Sequence, residues 1–156
     1  MECTIDWLTA SGMAFSAETG SGHVLVMDGA ADGGGRNLAP RPMETVLAGT
    51  GACTAYDVVL ILRRGRHDVR GCRVKVSSER AERDPKVFTT IHLHFIVSGR
   101  AVPEGAVERA IALSHEKYCS ATIMLGKMAP ITTSYVVGDD SPAAQEADAA
   151  RREDQT

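Results

Sequence analysis

Four cysteines are spread over the 156 residues, and two of them stand where a thiol could do chemistry rather than packing. Cys53 lies inside an apolar helical pattern, in the run Gly49-Thr50-Gly51-Ala52-Cys53-Thr54-Ala55-Tyr56-Asp57. Cys119 follows about 66 residues later, in Ser114-His115-Glu116-Lys117-Tyr118-Cys119-Ser120, where a second helical pattern breaks. The chemistry such a pair suggests is reversible oxidation, because a thiolate can pass to a sulfenic acid and then condense with a second thiol. Cys119 gains if a short helix opens beside it, since unpaired N–H groups at a helix start favour negative charge. Cys53 is mid-helix and needs a cation from elsewhere, from another part of the fold or from a partner subunit. Asp57, one turn on, opposes its ionisation. The competing reading is a buried, inert cysteine, the usual fate of a free thiol. It is the expectation for Cys3 and Cys72, and the residues alone leave it open for Cys53.

The elements that must position these thiols are legible from periodicity. Short strands are expected over Cys3 to Leu8, Met13 to Ala17 and His23 to Met27, separated by Gly-rich turns in an antiparallel meander. Gly33-Gly34-Gly35 reads as a flexible loop, because the lysine and following helix of a phosphate loop are missing. From Met43 to Arg64 apolar residues recur at three- and four-residue steps. A helix of that length spans about 33 Å and can serve as the spine of the domain. Gly65 is expected to close it. Gly49 and Gly51 each cost a helix about 1 kcal/mol, so the run around them predicts a tight crossing. Strict alternation around Cys72 to Val76 and Ile91 to Val97 predicts two long strands paired as a hairpin. A second helix is expected over Pro103 to Lys117, a short helix opening near Cys119, and a last strand over Ile131 to Val137. The plan is α+β, with helices covering sheet faces. Residues 1–138 read as one domain and 139–156 as a flexible polar tail.

Composition narrows the function classes. Net charge is −3 and the pI is near 5.9, which argues against a nucleic-acid partner. The first residues lack a basic targeting region, and Val46 to Leu62 reads as too short for a membrane span. A cytoplasmic protein with reduced cysteines and no membrane partner is expected. His92 and His94 share a strand face, but the sequence supplies no further ligands for a metal site there. Neither a metal nor a cofactor is expected.

Pro42 to Leu47, Gly51 to Val59, Thr89 to Gly99 and Ser114 to Ser120 together resemble the OsmC and organic-hydroperoxide-resistance (Ohr) family, in its YhfA-like branch. The resemblance covers nearly everything before Gly138. It implies an intertwined homodimer, with antiparallel sheets wrapped around long central helices and two active sites at the subunit interface. It also implies peroxiredoxin-like, thiol-dependent reduction of organic hydroperoxides in oxidative stress defence. Cys53 would attack the peroxide and Cys119 would close the disulfide, which a dithiol reductant then opens. Glu44, Asp57, Glu116 and Tyr118 are the supporting candidates. Two positions depart from the peroxidase branches. Met43 stands where those branches carry glutamate, with Glu44 one residue later, about 100° around the helix. No arginine precedes Arg36, leaving Arg36 and Arg41 as loop candidates to hold a thiolate. These departures motivate an alternative: a non-catalytic dimer that binds a small apolar or electrophilic ligand, or a redox sensor.

Overall fold

The computed structural model describes residues 1–138, so the tail expected over 139–156 lies outside the described residues. Two compact units are present, Met1–Gly49 and Thr50 onward. In the first, β1 (Cys3–Trp7), β2 (Phe15–Thr19) and β3 (Val24–Met27) form the expected antiparallel meander, with Ile5 opposite Ala17 and Ala17 opposite Leu25. Cys3 was expected to be buried, but it is exposed on β1, as is every residue of that strand. An edge strand with no second layer over it in its own unit shields nothing. The loop after β3 is organised by Asp28, whose buried carboxylate accepts N–H bonds from Leu38 (3.0 Å), Arg36 (2.9 Å) and Gly29 (2.7 Å). The bonds from Leu38 and Arg36 hold its carboxyl below the usual carboxylate range.

Helix α1 (Pro42–Arg64) opens with Glu44, which accepts the Arg41 N–H at 2.8 Å and so caps the helix start. Its end differs from the expectation at Gly65. The left-handed residue is Arg66 (φ 61°), with Arg66 N–H on the Arg63 carbonyl and His67 N–H on that of Leu62, a Schellman closure. By length and composition α1 could cross a membrane, contrary to the sequence reading. A core helix meets the same criterion, and Thr50, Gly51, Thr54, Val58 and Leu62 form a buried stripe along it.

The second unit is built on a hairpin of β4 (Asp68–Arg80) and β5 (Phe88–Arg100), with Cys72 opposite Val97, Val74 opposite Phe95 and Val76 opposite Leu93. Ile91, Leu93, Phe95 and Val97 are at most 1 % exposed and form the core face. Helix α2 (Glu104–Leu113) adds Val107, Ala110 and Ile111 to the buried set. Next come a wide π-helical turn (Ser114–Tyr118), α3 (Ser120–Leu125) and β6 (Ile131–Gly138). β6 lies parallel to β5, so this sheet is mixed rather than wholly antiparallel. The helical connection returns the chain to the end of the sheet where β5 began, which a tight hairpin cannot do.

The two helix glycines part company. A Cβ on Gly51 would stand 2.8 Å from Val76 Cγ2, so the close approach is helix against strand. A Cβ on Gly49 would meet nothing within 4 Å among the described residues. Gly51→Ala is therefore expected to destabilise by about 1 kcal/mol, overpacking outweighing the gain in helix propensity. Gly49→Ala should stabilise the isolated chain by up to about 1 kcal/mol. Urea unfolding of both variants checks the pair. A loss at Gly49 would show that another backbone crosses there in the assembled protein.

Candidate thiol site

Cys53 and Asp57 are one helical turn apart on α1, on the flank of its buried stripe, and both are half-buried. Cys119 arrives from the other direction. The Cys119 N–H bonds back to the Ser114 carbonyl at 2.8 Å, a five-residue closure that makes the preceding turn a π turn. Cys119 then leaves the helical region (φ −74°, ψ 99°) and becomes the N-cap of α3. Its sulfur accepts the Thr122 N–H at 3.5 Å, taking the place usually held by a Ser or Asp oxygen. Thr122 Oγ1 in turn donates to the Cys119 carbonyl at 3.1 Å. The result is a fully buried thiol facing α1. The two sulfurs and an Asp57 carboxylate oxygen all lie within 4.8 Å of one another.

A hydrogen-bond chain fixes the carboxylate. Ser114 Oγ donates to Asp57 Oδ2 at 3.1 Å and lies 2.9 Å from Thr54 Oγ1. A carboxylate only accepts, so the single Ser114 proton points to Asp57 and Thr54 donates to Ser114. Ser114 is fully buried and Thr54 nearly so. Ser114→Ala would leave the Thr54 hydroxyl without its acceptor and release Asp57. A loss of about 1–3 kcal/mol is expected in urea unfolding. Adding Thr54→Val should recover part of it, because the orphaned hydroxyl goes too.

The electrostatics oppose ionisation of Cys53. Burial comes first in pushing its thiol above the ordinary range, followed by the adjacent Cys119 thiol, and the charge on Asp57 adds to this. An N–H from Ala121 works the other way but does not prevail. None of the groups that set this balance is a cation. Cys72, on β4, is also pushed up, by burial alone.

The structure thus brings together Cys53, Asp57 and Cys119, the last two of which the sequence could place only on separate elements. Glu44 sits at the far end of α1, about two and a half turns before Cys53, bonded to its own helix start. Glu116 and Tyr118 are on the π turn and exposed, with the Tyr118 ring 5.4 Å from the Lys117 ammonium. Arg36 and Arg41 belong to the first unit. Sequence reasoning missed Ser114 and Thr54 as the groups that orient Asp57, and the Ala121 and Thr122 N–H groups aimed at the sulfurs. A Ser three positions before the end of the helix expected over Pro103 to Lys117 is the only signal, and it is a weak one. His92 reaches Thr132 Oγ1 (2.7 Å) and Ser134 Oγ (2.8 Å), and His94 also reaches Ser134 (2.8 Å). These rings bridge β5 to β6, and among the described residues no third ligand joins them.

The OsmC-like protein family profile matches residues 33–134, which include both cysteines and the π turn. The chain belongs to the OsmC-like family. Within it, this OsmC-like chain falls in the YhfA-like branch. It is 50 % identical over 137 residues to protein YhfA of Escherichia coli K12, covering 88 % of this chain and 98 % of YhfA. A structure solved by structural genomics is 47 % identical, with a TM-score of 0.80, over 89 % of this chain and 99 % of its own. An organic hydroperoxide resistance protein OsmC from Legionella pneumophila shares the fold at 15 % identity and a TM-score of 0.63. It is matched over 88 % of this chain and 98 % of its own. The α+β plan read from periodicity is therefore that of the OsmC-like proteins.

Proposed function

We propose that this OsmC-like protein reduces organic hydroperoxides through a Cys53–Cys119 dithiol, in oxidative stress defence. The observation that carries the reading is the convergence of the two sulfurs to within 4.8 Å from elements far apart in the chain. The Cys53 thiolate attacks the distal peroxide oxygen, the O–O bond breaks, and the alkoxide leaves as an alcohol with the proton that Cys53 released. Cys53 is now a sulfenic acid. The Cys119 sulfur displaces its hydroxyl as water, forming the disulfide. A dithiol reductant restores both thiols by exchange, and its own sulfurs become the disulfide. Rotation of the two side chains must bring the sulfurs from within 4.8 Å to about 2.05 Å.

The functional form we propose is a cytoplasmic homodimer of the domain over residues 1–138. Two observations support pairing. Only 28 % of the apolar window of α1 is buried within the chain. Tyr56, Tyr118, Ile123, Met124 and Met128 are exposed on or near the elements that carry the thiols. The partner is then the natural source of a cation for Cys53, since none of the groups that set its ionisation within the chain's described residues is one.

The test is to treat the reduced protein with an excess of an organic hydroperoxide and map disulfides by non-reducing peptide mass spectrometry. A Cys53–Cys119 peptide pair is expected, with Cys3 and Cys72 left as thiols. Four intact thiols after exposure, or a bridge that leaves out Cys53, would defeat the reading. The second reading is a dimer that binds a small apolar or electrophilic ligand, or that senses oxidation slowly. The suppressed ionisation of Cys53 favours it, because a protonated thiol is a poor nucleophile.

A further inference from the structure

The thiol site also presents a donor set whose use would not depend on oxidation. Its three groups are two sulfurs and a carboxylate oxygen, all within 4.8 Å of one another. In a tetrahedral zinc site the Zn–S bonds are about 2.3 Å, so neighbouring ligand atoms stand about 3.8 Å apart. Closing the triangle needs shifts of an ångström or less per atom, within the reach of side-chain rotation on fixed helices. Thiolate ligands select soft or borderline cations over Mg2+ and Ca2+.

The surroundings are those that a metal–thiolate site requires. Ser114, itself held by Thr54, orients the Asp57 carboxylate through Oδ2. The Thr122 N–H donates to the Cys119 sulfur at 3.5 Å, and the Ala121 N–H is directed at Cys53. Cys119 is sealed in the core, whereas Cys53 and Asp57 are half-buried, which leaves an entry side and a fourth coordination position. The three groups repel one another when ionised, and a divalent cation is the one ligand class that turns this repulsion into attraction.

We propose that the reduced protein binds one Zn2+ through Cys53, Cys119 and Asp57, with the fourth position open to water or an exogenous ligand. Binding releases the two thiol protons to solvent and changes no oxidation state. It closes the site to electrophiles while the metal stays. The inference stands apart from the peroxide reading. A protein that binds zinc and leaves hydroperoxides untouched keeps this one and loses the other.

The experiment titrates reduced full-length protein with ZnCl2 against a chromophoric chelator, and with CoCl2 to read thiolate-to-cobalt charge-transfer absorption. One equivalent and a charge-transfer band are expected in the wild type, and equally in the Cys3→Ser/Cys72→Ser variant. Cys53→Ser and Cys119→Ser should each lose about a hundredfold or more in affinity, and Asp57→Asn about tenfold. Circular dichroism checks that each variant keeps its fold. A cobalt complex without the band, affinity unchanged in both Cys53→Ser and Cys119→Ser, or binding lost in the Cys3→Ser/Cys72→Ser variant would each overturn the proposal.

Discussion

Cys53→Ser is expected to lower the single-turnover rate of hydroperoxide consumption by about a thousandfold or more, and Cys119→Ser to leave it unchanged. The two sulfurs are adjacent but hold unequal positions. Cys53 is half-buried and reachable, whereas Cys119 is fully buried and is held at the N-cap of α3 by the Thr122 N–H. An attacking group must meet its substrate, so in the proposed reaction the accessible sulfur strikes first and the sealed one resolves. Without its nucleophile an enzyme of this class retains only what binding and positioning supply. Without Cys119 the first step survives. Cys119→Ser should consume about one equivalent of peroxide per site and stop, with a sulfenic acid that a dimedone reagent captures on Cys53. Stopped-flow peroxide loss with protein in slight excess distinguishes the variants. Equal consumption by Cys53→Ser and wild type, or a dimedone adduct on Cys119 in the wild type, would reverse the assigned order.

Asp57→Asn is expected to make Cys53 more reactive, not less. The charge on Asp57 is one of the causes that hold the Cys53 thiol above its ordinary range, after burial and the neighbouring Cys119. Removing a nearby negative charge stabilises the thiolate, so the ionisation falls toward neutral pH. The amide oxygen of Asn can still accept from Ser114, so the hydrogen-bond chain survives. Alkylation of Cys53 followed peptide by peptide, with chelator present, should then be several-fold faster at neutral pH, and its pH–rate profile should move to lower pH. In the wild type the rate should keep rising with pH past the range of an ordinary thiol. Slower alkylation in Asp57→Asn would mean that the carboxylate takes the Cys53 proton during attack, outweighing its electrostatic opposition.

The sequence announces its regular elements through period and little else. Ile91, Leu93, Phe95 and Val97 alternate strictly and all point into the core. The stripe Thr50, Thr54, Val58 and Leu62 repeats every four residues and all of it is buried. What periodicity cannot carry is a local exception. Ser114 to Lys117 carries no apolar residue whose spacing could show how it winds, so the π turn is invisible, although it decides where Cys119 goes. Gly49 and Gly51 look alike in sequence, yet only Gly51 faces a strand. The short apolar run at Ile131 to Val137 marks a strand, but not its direction beside β5. The pairing of Cys53 with Cys119 is long-range, and the residues alone left it open. The family resemblance supplied it as an expectation, and the geometry brings the sulfurs to one place.

The π turn makes the site depend on how the chain winds as well as on its composition. A regular α-helix through Ser114 to Tyr118 would need one residue fewer for the same advance, so the turn holds a single surplus residue. Winding the same five residues as a regular α-helix would turn everything downstream by about 100°. Cys119 would then be carried off the α1 side while every amino acid of the site was still present. A relative one residue shorter between His115 and Tyr118 should therefore keep the direction of Cys119 with an ordinary helix in place of the π turn.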